Sequence, residues 1–346
     1  MRFRLFGRSG LRVSELALGT MTFGEDWGWG AGREECRRMF DAYAEAGGNF
    51  IDTASNYTNG TSERIVGELV AADRDHFVVA TKYTLTSRPD DPNAGGNHRK
   101  NLVRTLETSL RRLGTDHVDL LWVHMWDGVT PIEEVVRALD DAVHAGKVLY
   151  VGLSDTPAWV VARAVSIAEL RGWTPLAGVQ APWSLADRDV ERELLPMASA
   201  LDLAFTPWGL LSEGELTGKY LRQPDGPTRN RPDEVSQRVN QLAKEVVAVA
   251  EEVGRSSAEV AINWIRQQRH GCAVVPILGA RSADQLCANL GCLDFQLEPD
   301  HLDRLTAASG FQLGFPRSFL EGDHVRGLIF GTTFDRIANH RSPGQQ

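Results

Sequence analysis

Leu18-Gly19-Thr20-Met21-Thr22-Phe23-Gly24 closes the first apolar run of this 346-residue chain, and its glycine spacing decides the fold. A dinucleotide-binding open sheet needs G-x-G-x-x-G at this turn, so that backbone can approach a pyrophosphate and a helix can pack closely behind it. Gly19 and Gly24 do not have that spacing. The missing fingerprint turns the reading away from a doubly wound sheet and toward a closed barrel.

Working outward, apolar runs bounded by turn formers predict strands near 15–19, 49–53, 77–82, 118–124, 148–153, 176–180, 203–207 and 273–277. Helical periodicity fills the intervals near 33–47, 61–71, 98–113, 131–146, 157–171, 187–200, 257–269 and 282–291. Pro131 and two glutamates after it suit a first helical turn, where a missing N–H costs little and acidic groups meet the helix dipole. Alternating β and α units without a break in composition predict an α/β class (β/α)8 TIM barrel, one domain over 1–346. Residues 3–13 read as a hairpin plugging the barrel bottom. The polar stretch 222–232 reads as an exposed loop over the C-terminal rim, and the tail from about 311 to 346 carries no long periodic helix.

Bulk properties exclude several function classes. A net charge of -9 argues against generic nucleic-acid binding, which needs a basic face. Arg111-Arg112 reads as the solvated face of a helix. No apolar stretch approaches the roughly 20 residues of a membrane helix. The N-terminus has no apolar signal core, so a cytoplasmic protein is expected. Cys36, Cys272, Cys287 and Cys292 have neither metal-site nor Cys-x-x-Cys spacing, which suits reduced thiols.

Asp52 and Tyr57 follow the second predicted strand, Lys82 ends the third and His124 ends the fourth. A parallel barrel brings all four to one rim. Taken singly, a strand-end Asp caps turns, a Tyr packs, and a Lys or His is structural. Taken together they form a proton-delivery set for a carbonyl: a tyrosine whose pKa is drawn down by a lysine, an aspartate holding that lysine, and a histidine orienting the substrate oxygen. A metal-dependent hydrolase would instead need His-x-His or clustered carboxylates on the early strands, and neither is present. Trp27, Trp29, Trp126 and Trp183 fall on loops after strands and could wall an aromatic pocket for an aryl or other hydrophobic carbonyl, or a keto-sugar. Arg99 and Arg231 fit the surface better than an anionic substrate.

The ordered set resembles the aldo-keto reductases. Leu11-Arg12-Val13-Ser14, the Leu18–Gly24 run, Asp52-x4-Tyr57, Lys82 and Leu113-Gly114-Thr115-Asp116-His117-Val118-Asp119-Leu120 carry the likeness, joined by Gly152-Leu153-Ser154, Val179-Gln180, Leu216-Thr217-Gly218-Lys219-Tyr220 and Ile277-Leu278-Gly279-Ala280-Arg281. It covers about residues 3 to 295. The resemblance implies Tyr57 as general acid/base, Lys82 and Asp52 as its partners, and His124 as the carbonyl-orienting group. Histidine there implies carbonyl rather than enone reduction.

The resemblance also implies NADPH, with NADH second, lying extended across the barrel mouth. Gly19, Thr20 and Met21 would border it; Ser154, Asp155 and Gln180 would meet the carboxamide, and Trp208 would stack on the nicotinamide. Gly209, Leu210, Ser212, Gly214 and Lys219 would wrap the pyrophosphate. Gly279, Arg281 and Ser282 would take the 2′-phosphate, and Gln285 and Asn289 the adenine side. Two positions depart from the family pattern: Asp155 stands for asparagine and Ala288 for glutamate. The family also contains cofactor-sensing channel subunits, so a regulatory protein with little turnover is the competing expectation.

Overall fold

The computed structural model describes residues 1–221 and 235–338. The polar stretch 222–232, Arg231 within it and the last residues of the tail lie outside the described residues. Phe3–Leu5 (β1) and Arg12–Ser14 (β2) pair antiparallel, Phe3 opposite Ser14. Strands and helices then alternate: β3 Ala17–Gly19, α1 Arg33–Glu45, β4 Phe50–Asp52, α2 Thr61–Val70, β5 Val78–Tyr83, α3 Arg99–Leu113, β6 Val118–Val123, α4 Ile132–His144, β7 Val148–Ser154, α5 Ala158–Arg171, β8 Leu176–Pro182, α6 Leu194–Ala200 and β9 Ala204–Trp208. After the segment outside the description come α7 Gln237–Val253, α8 Ser257–Gln267, β10 Ile277–Leu278, α9 Ala283–Leu290, α10 Pro299–Ala308, α11 Arg317–Leu320 and α12 Asp323–Phe330.

Strands β3 to β10 form one parallel sheet in the order β10-β3-β4-β5-β6-β7-β8-β9. The ring closes through Phe205, which donates to Ala273 O (2.8 Å) and accepts from Val275 N (2.8 Å). The last strand is shorter than the expected 273–277 run, with regular pairing only at Ile277–Leu278 and a bridge at Val274. Because all eight strands point one way, their C-terminal ends share one rim.

The hairpin closes the opposite end. Phe6 is wholly buried beneath it, edge-on to Phe50 (5.6 Å between ring centroids) and Trp122 (6.3 Å). Burying such a ring stabilises the plug by about 2–3 kcal/mol. The second core layer lies between the strands and the surrounding helices, and it is far larger than the barrel interior.

Several helical segments differ from the sequence reading, which ends its helices near 291 and so lacks α10. The 17-residue α7 is absent from it, although Val239, Leu242, Ala243, Val246, Val249 and Ala250 bury one face at helical spacing and Ser236 Oγ accepts from Val239 N (3.2 Å). The seventh strand is therefore followed by two helices. The expected helix 187–200 is a 3-10 turn at Asp189–Glu191 and the shorter α6. Pro196 explains the split, since a proline with no N–H is tolerated only in a first turn. Pro131 stands just outside α4 as its N-cap.

Candidate active site

Lys82 is the centre of the rim. Its side chain is 0% exposed, and its ammonium donates to Asp52 Oδ2, to Thr53 O (2.9 Å) and to the Tyr57 hydroxyl (3.3 Å). Pairing of β4 with β5 sets this geometry, with Asp52 opposite Ala80 and Lys82 two residues further along. Gln180 Nε2 donates to the other oxygen of Asp52 (3.0 Å), so both carboxylate oxygens are bound. His124 follows β6 and its ring meets Tyr57 edge-on, 5.9 Å between centroids. The four residues chosen from strand ends do meet.

Their ionisation differs in one respect from the expectation. Burial pushes the Tyr57 phenol above its ordinary value, and the opposing pull of Lys82 does not overcome it. The cause is local neutrality: the ammonium is already matched by Asp52, whose own charge also disfavours a tyrosinate. Tyr57 is thus held protonated, as a donor must be. Burial works against the Lys82 charge, yet Asp52 and Tyr57 hold its pKa above the usual lysine range. Burial, then the Lys82 charge, pushes His124 down to about 3, so the imidazole is neutral, and its Nδ1 is buried without a partner.

The turn carrying Tyr57 is strained and braced from below. Thr58 (φ 43°) and Asn59 (φ 54°) are left-handed without being glycine, and Gly60 follows at φ 88°. Such residues persist only where the surroundings over-determine them. Arg112 supplies part of that support: its Nη1 donates to Ser55 O (2.7 Å) and to Glu63 Oε2 (3.0 Å). Glu63 is wholly buried and also accepts from Thr81 Oγ1 (2.7 Å). A side chain at Gly60 would collide with the guanidinium. Arg112 is therefore no solvated helix residue; adjacent helical positions point about 100° apart, so Arg111 faces water while Arg112 faces inward.

The next strand ends bear the remaining polar groups. Ser154 is buried at the end of β7. Asp155 adopts φ 42°, its N–H donates to Gln180 O (3.0 Å), and Trp208 Nε1 donates to its Oδ1 (3.3 Å). Burial pushes its pKa up to about 6. Trp208 is 41% exposed, a large aromatic presented at the rim. With the Gln180 amide nitrogen turned to Asp52, its oxygen is the end left for a ligand.

Beyond β9 the chain makes a turn of left-handed residues, Gly209, Ser212, Glu213, Gly214 and Gly218. A carbon built on Gly214 would come within 2.5 Å of Lys219 Nζ, so glycine lets that ammonium lie across the turn. Leu210 is buried, and Ser212 Oγ donates to Glu215 (2.9 Å). At α9, Ser282 accepts from Gln285 N (3.2 Å), Gln285 accepts from Arg281 N (2.9 Å), and Asn289 is buried. Glu35 of α1, which the sequence does not signal, accepts from Ala283 N (2.6 Å) and from Arg38 (2.8 Å). Gly19 ends β3, Thr20 is wholly buried and donates to Asp52 O (3.0 Å), and Met21 is partly buried beside it. The exposed Trp208 ring, the Gly214 cradle and the α9 N-terminus fit the ends and middle of a dinucleotide.

The tryptophans separate. Trp27 and Trp29 lie together, 5.5 Å between rings, and Trp126 is half-buried, its backbone N–H donating to the Asp155 backbone O (3.3 Å). Trp183 does not belong with them. It is 0% exposed, bonded to Glu191 (2.9 Å) and packed against Trp264 at 5.6 Å, because its strand end turns into the layer beneath α8. Arg99 pairs with Asp141 on the surface. A cavity of about 1060 Å³ opens elsewhere, beside the hairpin and bordered by Arg4, Glu15 and Arg266. Among the described residues no three His, Cys, Asp or Glu side chains are grouped to hold a metal, and no helix is long and apolar enough to cross a membrane.

Comparison with known proteins agrees with this geometry. The family model described as the aldo/keto reductase family matches residues 15–309. A norsolorinic acid reductase of Emericella nidulans is 39% identical over 90% of this chain and 82% of its own length. An NADP-dependent aryl-alcohol dehydrogenase of Phanerodontia chrysosporium is 36% identical over 97% of this chain and 90% of its own. An aryl-alcohol dehydrogenase of Pestalotiopsis microspora is 37% identical over 94% and 87%. With a parallel barrel carrying Asp52, Tyr57, Lys82 and His124 on one rim, the chain belongs to the aldo/keto reductase family and is an oxidoreductase acting on carbonyl or alcohol groups.

Proposed function

We propose that this protein reduces an aldehyde or ketone to the alcohol with NADPH, Tyr57 donating the proton. The observation that carries the reading is the Lys82 ammonium bound at once to Asp52, Thr53 O and the Tyr57 hydroxyl. When bound, the nicotinamide supplies a hydride to the carbonyl carbon. Tyr57 gives its proton to the carbonyl oxygen, and Lys82 stabilises the tyrosinate left behind. Neutral His124 orients that oxygen by a hydrogen bond. Trp208 offers a face to the nicotinamide ring, Ser154, Asp155 and Gln180 meet its carboxamide, and the 209–219 turn with Lys219 meets the pyrophosphate.

Arg281 and Ser282 at the start of α9 favour the 2′-phosphate of NADPH, because an anion there meets a guanidinium and a helix N-terminus. An aryl carbonyl is the substrate class that Trp27, Trp29 and Trp126 favour, and it accords with the aryl-alcohol dehydrogenases among the relatives. The test is NADPH oxidation with a nitrobenzaldehyde, run beside Tyr57→Phe. Full turnover in the variant with cofactor still bound would show that Tyr57 is not the donor.

A further inference from the structure

We infer that Asp155 sets which redox state of the nicotinamide this protein holds more tightly, a carboxylate there favouring the cationic oxidised ring over the neutral reduced one. The inference rests on the nicotinamide reading above and adds a charge preference that the four catalytic residues do not supply.

Placement carries the argument. Asp155 follows the last residue of β7 in a left-handed conformation and reaches the indole N–H of Trp208, the exposed ring at the end of β9. Its charge is felt by Tyr57 and Lys82. The carboxyl thus touches the aromatic platform and lies within electrostatic reach of Tyr57. The groups facing this space are Tyr57 after β4, Lys82 on β5 with its partner Asp52 from β4, His124 after β6, and the Trp208 indole from β9. Lys82 is taken by Asp52, His124 is neutral, and an indole N–H carries no charge. Among the described residues Asp155 is therefore a half-buried acid with one neutral side-chain donor and no paired cation. Asparagine would have met a carboxamide equally well in both redox states; a carboxylate does not.

The oxidised ring provides the missing cation. Opposite unit charges facing one another in a half-buried site would attract enough to change a binding constant by roughly tenfold. Burial places the ionisation of Asp155 near neutrality, at about 6, whereas His124 titrates at about 3 and Tyr57 above the ordinary tyrosine value. The preference is thus present above about pH 6 and fades below it. During carbonyl reduction it favours hydride leaving the reduced ring and slows release of the oxidised cofactor.

The experiment measures dissociation constants for NADP+ and NADPH by quenching of tryptophan fluorescence, from pH 5.5 to 8, in the wild type and in Asp155→Asn. The 2′-phosphate titrates in both nucleotides and cancels in their ratio. The wild type should shift toward NADP+ by about tenfold as pH rises, and Asp155→Asn should hold a flat, lower ratio. By linkage, NADP+ binding near pH 6 should also release a proton that NADPH binding does not. A wild-type ratio independent of pH overturns the inference even if the variant does not fold, as does an equal pH response in the variant. Failure of both nucleotides to bind the wild type would instead remove the nicotinamide reading and this inference with it.

Discussion

The rim of this barrel has two halves built on different principles. Around β4, β5 and β6 the polar groups are buried and bound to one another, with Lys82 at the hub and both oxygens of Asp52 occupied. Around β7, β9 and α9 several polar groups are exposed or satisfied by local bonds, such as Ser212 to Glu215 and Ser282 to Gln285. The first half is fixed before any ligand arrives. The second must exchange local partners for a ligand's. On the function proposed above, proton delivery needs fixed distances whereas a long flexible cofactor has to enter and leave, and the two demands lead to opposite ways of satisfying a polar side chain.

The largest effect that could break this contrast lies in the fixed half. Tyr57→Phe should lower turnover by about a hundredfold to ten-thousandfold, the usual contribution of a positioned acid, while nucleotide binding changes little. Steady-state kinetics beside fluorescence titration would check both parts; a matching loss of binding would show that the halves are not separable. Next, Arg112→Met leaves the wholly buried Glu63 without its cation and should cost about 3 kcal/mol, read from urea unfolding. A change near zero would mean that the strained turn after Tyr57 holds itself.

In the second half, Asp155→Asn should stabilise the ligand-free protein. Its folded pKa lies above the unfolded value, so ionisation opposes folding: the penalty is absent well below the unfolded value of 3.8, grows as pH rises toward 6 and is constant above. Discounted for partial solvent access, the gain should be about 1–2 kcal/mol at pH 7.5 and vanish by about pH 3. Melting curves at the two pH values decide it. The smallest effect belongs to Glu35→Gln, which removes a carboxylate from the start of α9 and leaves Arg38 with Asp284 (3.6 Å) as its remaining acidic partner. Binding of 2′,5′-ADP should tighten by a few-fold while 5′-ADP is unchanged, since a helix N-terminus is worth a few tenths to one kcal/mol to an anion. Weaker binding of 2′,5′-ADP would mean that Glu35 instead holds Arg38 in place for the phosphate.

Much of this was legible along the chain. Strand ends alternate with helices clearly enough to place Asp52, Lys82 and His124 on neighbouring strands, because hydrophobic periodicity is a local property. What escaped is relational. Nothing near Trp183 in sequence says that its strand end turns into the helix layer, and the exposed-looking Arg111-Arg112 pair hides one arginine that faces a strained turn. The helix α7 carries a readable stripe, but it begins only after a polar stretch that reads as loop.

The sequence by itself determined the repeating strand and helix order, the glycine spacing that rules out an open dinucleotide sheet, and the residue types at the rim. Those follow from period, turn chemistry and side-chain chemistry, which act over a few neighbours. Only the tertiary structure decided the charge states: that Tyr57 is buried beside a lysine already paired with Asp52 and so stays protonated, and that Asp155 is half-buried with no cation paired to it among the described residues. Ionisation depends on which charges meet and how much water they lose, and both are set by distances between strands remote in the chain.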